Sequence, residues 1–236
     1  MLNKVSFNKD INIDNQCLII IPAYNEENSI FKVLEDVTKY FSNILVIDDG
    51  STDNTFNKAL EFKKCNLLRH FINCGQGISI LTGIRFFLKK SNFKYMITFD
   101  ADGQHNALDA YNLAKFALKN KHKVVFGSRF LSKKKSYIPR YRKIFLKLAI
   151  VFENLVFGFK LTDSHNGLRI LDNEACKLLL DISSSKMAHA TEIPLKLISN
   201  GIKIYEYPCQ INYKLAKNST SIFSSANIIS DLIQRK

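Results

Sequence analysis

Tryptophan is absent from this 236-residue chain, and its five cysteines (Cys17, Cys65, Cys74, Cys176, Cys209) form no Cys-x-x-Cys pair. An odd number of unpaired spacings speaks against a disulfide framework or a zinc site and for reduced thiols in a cytosolic protein. The first residues carry Lys4, Lys9 and Asp10 and no apolar stretch, so no signal peptide is expected. Nor does any run reach the roughly 20 apolar residues that span a bilayer. The apolar segment from Ile144 to Phe159 is broken by Lys147, Glu153 and Asn154, and reads as an interfacial or core helix. No internal repeat or linker is visible, and the length suits one domain of ordinary size.

Acidic residues are also scarce: 21 Asp and Glu stand against 34 Lys and Arg, a formal charge of +13. Such an excess suggests a polyanionic partner, whether nucleic acid, anionic lipid or a phosphorylated substrate. Without a recognisable nucleic-acid module or a single Trp, nucleic acid is the weakest of the three. The basic residues gather at Lys133, Lys134, Lys135, Arg140, Arg142, Lys143 and Lys147, beside the apolar segment. That placement favours a membrane surface.

What is present begins with Leu18-Ile19-Ile20-Ile21, a fully apolar strand stopped by Pro22, which has no N–H for a ladder. Glu27 to Tyr40 reads as a helix, with Ile30, Val33, Leu34, Val37 and Phe41 at helical spacing. Ile44 to Ile47 is a second strand, Phe56 to Phe62 a helix, and Asn66 to Phe71 a third strand. Gly75-Gln76-Gly77 opens a further helix, which returns the chain to a strand over Lys94 to Phe99. Val124 to Phe126 is a short strand, Ala188 to Ser199 a helix and Ile202 to Tyr207 a last strand. The alternation predicts an α/β fold, a mainly parallel sheet with helices on both faces. A Rossmann dinucleotide site is disfavoured: Gly75-x-Gly77 lacks the third glycine and follows the third strand, and the first strand ends without a glycine-rich turn.

The strongest chemical signal is Asp100-Ala101-Asp102-Gly103-Gln104-His105, directly after a strand. Two carboxylates one residue apart at a strand's carboxyl end repel, and Mg²⁺ or Mn²⁺ would relieve them while completing its shell with substrate phosphates. Open α/β sheets bind ligands at that edge. An isolated pair of this kind would more simply be a solvated turn.

It is not isolated. Pro22-Ala23-Tyr24-Asn25-Glu26-Glu27, Ile47-Asp48-Asp49-Gly50-Ser51-Thr52-Asp53, the Asp100–His105 segment and Gly127-Ser128-Arg129 together resemble family 2 glycosyltransferases with the GT-A fold. More narrowly they are similar to the dolichyl- or polyprenyl-phosphate sugar synthases. The resemblance implies a GT-A domain over 17–213, with a nucleotide-sugar half (17–130), an acceptor half (131–213) and an amphipathic tail at 214–236. It implies nucleotide contacts at Pro22, Tyr24, Glu26, Ile47, Asp49, Asp100 and Ala101, with Asp48 and Asp53 capping the following helix. Asp100, Asp102 and Gln104 match the metal and diphosphate site, with His105 beside it rather than a ligand. Arg129 and, loosely, Arg142 match arginines that meet an acceptor phosphate, for which a guanidinium fork suits. Asp163 with Gly167-Leu168-Arg169 resembles a further family segment, with Asn166 in place of Ser. Glu192 stands where inverting relatives keep an acceptor-side acid. Where the family loop commonly has Lys between two glycines this chain has Gln76, which therefore receives no phosphate role.

The resemblance implies an inverting, metal-dependent transfer from a UDP- or GDP-linked sugar to a polyprenyl phosphate, for cell-surface glycan synthesis. Its expected catalytic residues are Asp102, Arg129 and Glu192. A saccharide hydroxyl acceptor would instead need a base, with Glu192 the candidate. A nucleotide-sugar pyrophosphorylase would want a basic glycine-rich loop after the first strand, and a basic membrane adaptor leaves the ordered motifs unexplained. The expected location is the cytoplasmic membrane face, held peripherally. The Met187–Glu192 segment and the Ser219–Ile233 tail resemble a bacterial subset that pairs with a separate small membrane protein. No nucleic-acid partner is expected.

Overall fold

The run Leu18–Ile21 lies inside β1 (Cys17–Ala23), whose first five residues are fully buried. The computed structural model describes residues 13–90, 92–132, 140–182 and 188–213. The Lys133–Lys135 cluster and the 214–236 tail lie outside them. The remaining strands are β2 (Ile44–Asp48), β3 (Asn66–Arg69), β4 (Tyr95–Thr98), β5 (Val124–Ser128), β6 (Arg169–Asp172) and β7 (Ile204–Pro208). They form one sheet in the order β3-β2-β1-β4-β6-β5-β7. β1 to β4 pair in parallel, as does β5 with β7, whereas β6 runs antiparallel to both β4 and β5. The expected mainly parallel α/β sheet is what forms.

The two-residue period of a strand sorts the apolar side chains onto two faces. Ile19, Ile21, Ile44, Val46 and Ile97 pack beneath α1 (Ile30–Val37) and α4 (Ala107–Asn120). Leu18, Ile20, Leu45, Ile47 and Met96 pack on the other side beneath α3 (Gln76–Lys89), α6 (Asn173–Leu178) and α7 (His189–Ser199). Helices on both faces explain why these strands read as continuous apolar runs. α3 lies close on β1: a Cβ at Gly83 would come within 2.5 Å of Ile20 Cγ2. The short α2 (Thr55–Glu61) leans on β2 and β3, and α5 (Arg140–Phe157) spans most of the apolar segment noted in the sequence.

Three elements were not anticipated. α4 starts at an Asn106 cap whose side chain accepts from Leu108 N, and it buries Ala107, Ala110, Leu113, Ala114 and Ala117 at helical spacing. α6 and β6 are short, and nothing in Arg-Ile-Leu-Asp marks an antiparallel insertion between β4 and β5. Several boundaries shift by two or three residues: β3 ends at Arg69, β7 starts at Ile204, and α1 runs Ile30–Val37 rather than Glu27 to Tyr40. The N–H groups of Glu26 and Glu27 are drawn to Thr55 Oγ1 (2.7 Å) and Asp53 Oδ2 (3.2 Å) rather than into a helix.

Candidate active site

The topology brings five segments to one edge of the sheet. β1, β2 and β4 are parallel, and β5 shares their direction because β6 is antiparallel to both β4 and β5. Their carboxyl ends deliver Pro22–Glu26, Asp48–Ser51, Asp100–Gln104 and Arg129. β6 runs the other way, so its amino-terminal end, with Gly167 and Arg169, reaches the same edge; Arg169 pairs with Thr98 of β4 and Phe126 of β5. Between them lies a cleft of about 400 Å³, within the range of ordinary ligand sites.

Nine expected residues line it: Pro22, Tyr24, Glu26, Asp49, Asp100, Ala101, Asp102, Gln104 and Arg129. Three do not meet there. Ile47 is fully buried under α3, because strand alternation turns it to the core. Glu192 sits on α7 but does not line the cleft, where His189 and Ala190 stand instead. Arg142 lies in α5, and its side chain is outside the described residues.

The first two loops lock together through side chains. Asn25, at φ 54°, donates its N–H to Ser51 Oγ (3.0 Å) and accepts from Thr52 N (2.9 Å). Asp53 accepts from Thr55 N at the start of α2, the expected capping role. Asp48 does not cap; it is buried and pairs with Arg69 Nε at 3.1 Å. Asp49 takes three donors, from His70 Nδ1 (2.7 Å), Cys74 N (3.0 Å) and Gly75 N (2.7 Å), and so fixes the loop that opens α3. Cys74, His70 and Asp49 are near enough to share a metal ion, but these bonds already account for the carboxylate.

The loop held by Asp49 presents Gln76, whose Nε2 donates to Asp100 Oδ1 at 2.9 Å. The residue left without a role in the sequence thus touches the acidic pair directly. His105 Nε2 lies 3.1 Å from Asp100 Oδ2, placing it beside the site as expected. The pair is less bare than its sequence suggests. Burial pushes the Asp100 pKa up, but the His105 hydrogen bond and the charges of His105, His189 and Arg169 outweigh it, and the carboxyl sits below its ordinary value. Asp102 goes the other way. Burial and the charge of Asp100 raise it to about 6, although Gln104 N donates to it. Gln104 also donates through Nε2 to Asp102 Oδ2 (2.7 Å), so here the amide orients the carboxylate.

Hard carboxylate oxygens carrying unrelieved repulsion are the donor set for Mg²⁺ or Mn²⁺ rather than a softer metal. Asp100 and Asp102 would hold it, with the Gln104 amide oxygen beside them. Gly167 backs the site closely: a Cβ there would come within 2.1 Å of Asp100 Oδ2. Thr98 Oγ1 donates to Gly167 O at 2.6 Å and keeps the backbone in place.

Two arginines complete the lining, Arg129 two strands from the acids and Arg169 next to Asp100. Arg129 Nε donates to Asp163 Oδ2 (2.6 Å) and Nη1 to Tyr213 Oη (2.7 Å); the buried ion pair holds its pKa above the ordinary value. Arg169 is fully buried and donates only to backbone carbonyls, of Asn166, Ser164 and Ala190, while lying 4.7 Å over the Phe126 ring. Burial lowers it to about 10, so it remains charged at neutral pH. The sequence placed it in a family segment without a task. Its β6 position, unreadable locally, puts it by Asp100.

The family model described as "Glycosyl transferase family 2" matches residues 18–180. An uncharacterised protein of Methanocaldococcus jannaschii is 32% identical over 234 residues, 96% of this chain and 94% of its own. A UDP-N-acetylglucosamine–dolichyl-phosphate N-acetylglucosaminyltransferase of Methanococcus voltae is 30% identical over 85% of this chain and 87% of its own. Among solved structures, glucosyl-3-phosphoglycerate synthase from Mycobacterium tuberculosis, with Mn²⁺, uridine diphosphate and glucosyl-3-phosphoglycerate, aligns at TM-score 0.70 and 15% identity. That alignment covers 94% of this chain and 80% of the synthase. At such identity the likeness is one of fold, and the fold is GT-A.

The raised Asp102 pKa has a definite sign. The folded chain binds that proton more tightly than the unfolded chain does. The stability this residue contributes is therefore fully present below its ordinary value of 3.8 and is lost as pH rises through about 6. Thermal unfolding of metal-free protein should weaken between about pH 4 and 7 more steeply in wild type than in Asp102→Asn. Mn²⁺ should raise the wild-type midpoint at neutral pH and little at about pH 5. Parallel pH slopes in the two proteins, with no Mn²⁺ effect, would contradict this account of the pair.

Proposed function

The chain belongs to glycosyltransferase family 2, and from that premise we propose that it transfers a sugar, with inversion, from a nucleotide sugar to a polyprenyl phosphate at the cytoplasmic face of a membrane. The observation that carries the reading is one cleft lined by the acids Asp100 and Asp102 after β4 and by Arg129 two strands away after β5, with Arg169 beside Asp100. The acidic side, with Tyr24 and Glu26 for base and ribose, suits a nucleoside diphosphate and its cation. Bound there, a divalent cation supplies neutralisation of the departing diphosphate. UDP-N-acetylglucosamine is the first donor to try, given what the M. voltae relative is named for.

The acceptor follows from the Arg129 side of the cleft. A phosphate monoester has a second pKa near 6, so at neutral pH it is already an anionic nucleophile. It needs orientation and charge compensation rather than a base. Arg129 offers this: Asp163 and Tyr213 fix one edge of its fork, which pre-organises the rest for a phosphate oxygen. The absence of Glu192 from the cleft lining favours the phosphate over a saccharide hydroxyl.

α5 supports the membrane part. Ile144, Leu148, Val151, Phe152, Leu155 and Val156 are all exposed along it, on one stripe, with Leu155 80% exposed. Lys143 and Lys147 are exposed beside them. No helix among the described residues is long and apolar enough to cross a membrane. A lipid surface with anionic headgroups matches both the apolar stripe and the lysines, each worth about 1 kcal/mol near such a leaflet. The recruitment of this protein by a separate small membrane protein remains a further part of the proposal, to be sought by co-purification.

Two experiments test the reading. Incubated with nucleotide sugars, Mn²⁺ and a polyprenyl phosphate, the protein should form a glycolipid, and lose this in chelator. Arg129→Lys, which keeps charge but not the fork, should lose at least about tenfold, and Glu192→Gln far less. Product on a saccharide hydroxyl, with Glu192→Gln the more damaging change, would overturn the acceptor.

In sedimentation, wild type should follow anionic vesicles at low salt and partly leave them at high salt. Leu148→Glu with Leu155→Glu should remain in the supernatant. Wild type that never pellets would contradict intrinsic membrane binding.

A further inference from the structure

Glu153 is the only acidic residue of α5, and it points inward, 4% exposed. Its carboxylate accepts from Thr191 Oγ1 of α7 at 2.5 Å and from Ser164 Oγ, and His165 Nε2 lies 3.1 Å from its Oε1. Burial pushes its pKa up. The contact and charge of His165 and the two hydroxyls outweigh that, so the carboxyl sits below its ordinary value. A buried anion therefore stands directly behind His165.

His165 itself belongs to the cleft lining, with its side chain 11% exposed. Glu153 is its one ionic neighbour among the described residues, and the contact is one of proximity: Nε2 is buried there without a well-aligned hydrogen bond. With Nε2 buried against Glu153, the exposed remainder of the side chain is what lines the cleft. Glu153 thus holds His165 in place while the ring keeps an edge in the cleft. The segment that carries His165 is also fixed at both ends: Asp163 holds Arg129, and Gly167 abuts Asp100. Along the chain, His165 thus lies between the acceptor-side guanidinium and the acidic pair.

We propose that His165, oriented by Glu153, is a further acceptor-binding residue that donates a hydrogen bond to the anionic head of the acceptor. This rests on the phosphate-acceptor reading above. Held beside a carboxylate, an imidazole lining the cleft offers a ring N–H to a phosphate oxygen. Glu153 is the positioning residue. It also joins this wall of the cleft to the helix whose outer face carries the exposed apolar stripe, so the lipid side and the phosphate side of one acceptor meet on adjoining structure.

The test is calorimetric titration of geranyl phosphate, with geraniol as the neutral control, into the full chain holding UDP and Mn²⁺. Wild type should bind the phosphate and not the alcohol. His165→Ala should weaken geranyl phosphate at least about tenfold, a loss of roughly 1.4 kcal/mol, while UDP affinity stays within about twofold. His165→Gln, which keeps a donor and most of the volume, should recover part of the loss, and Glu153→Gln should show a smaller loss of the same kind. Unchanged phosphate affinity in His165→Ala overturns the proposal, as does an equal fall in UDP and phosphate affinity in both His165 variants. Wild type that fails to distinguish geranyl phosphate from geraniol overturns the acceptor reading itself, and this proposal with it.

Discussion

Two carboxylates at the end of a buried strand cannot both be ionised cheaply, and much of this structure is arranged around that constraint. Asp100 is kept anionic by Gln76, His105 and the field of Arg169, while Asp102 bears the penalty and is raised to about 6. Each of those supports has its own support. Gln76 is presented by a loop tied to Asp49, and Arg169 by a strand inserted against the direction of its neighbours. Gly167 lets the backbone approach Asp100 where any side chain would displace it. The geometry is one of stored electrostatic demand, which a cation and a diphosphate together would meet under the proposed function.

The arginine wall is built on a different principle. Arg129 and Arg169 are buried cations, each held still by two or three hydrogen bonds that leave part of the guanidinium fork over. Removing a partner from such a buried pair costs far more than the pair contributes, so Asp163 and Tyr213 serve rigidity more than affinity. Rigid cations and rigid acids thus line one cleft. Beyond that wall, α5 has two faces: one buries Ile150 and Glu153 against the domain, the other leaves six large apolar side chains in solvent. Apolar patches of that kind mark interaction surfaces.

Much of this was legible in the sequence for a simple reason. Strands buried on both faces read as apolar runs, and the residues that follow them must lie at one sheet edge. That logic marks Asp100 and Asp102, and the family resemblance adds Pro22, Tyr24, Glu26, Asp49 and Arg129; all seven line one cleft. It failed where a side chain's direction or a non-local pairing decides. Ile47 follows the alternation of its strand into the core. Glu192 follows the turn of α7 away from the cleft, while His189 three residues earlier faces it. The roles of Arg169 and His165 depend on β6 lying between β4 and β5, and four residues of mixed character encode no such pairing. Gln76 was set aside because it lacks a charge; a neutral amide beside a carboxylate nonetheless makes a sound hydrogen bond. α4 carries readable signals of its own, the Asn106 cap and a stripe of small residues.

The central claim is that the close packing of Gly167 against Asp100 sets the acidic pair for a cation and a nucleoside diphosphate. Calorimetric titration of UDP into wild type and Gly167→Ala, with Mn²⁺ and again with chelator, tests it most directly. The account predicts Mn²⁺-dependent UDP binding in wild type, and its loss in Gly167→Ala while thermal unfolding stays cooperative. UDP binding of equal strength in the two proteins, or binding in wild type that chelator leaves unchanged, would contradict it.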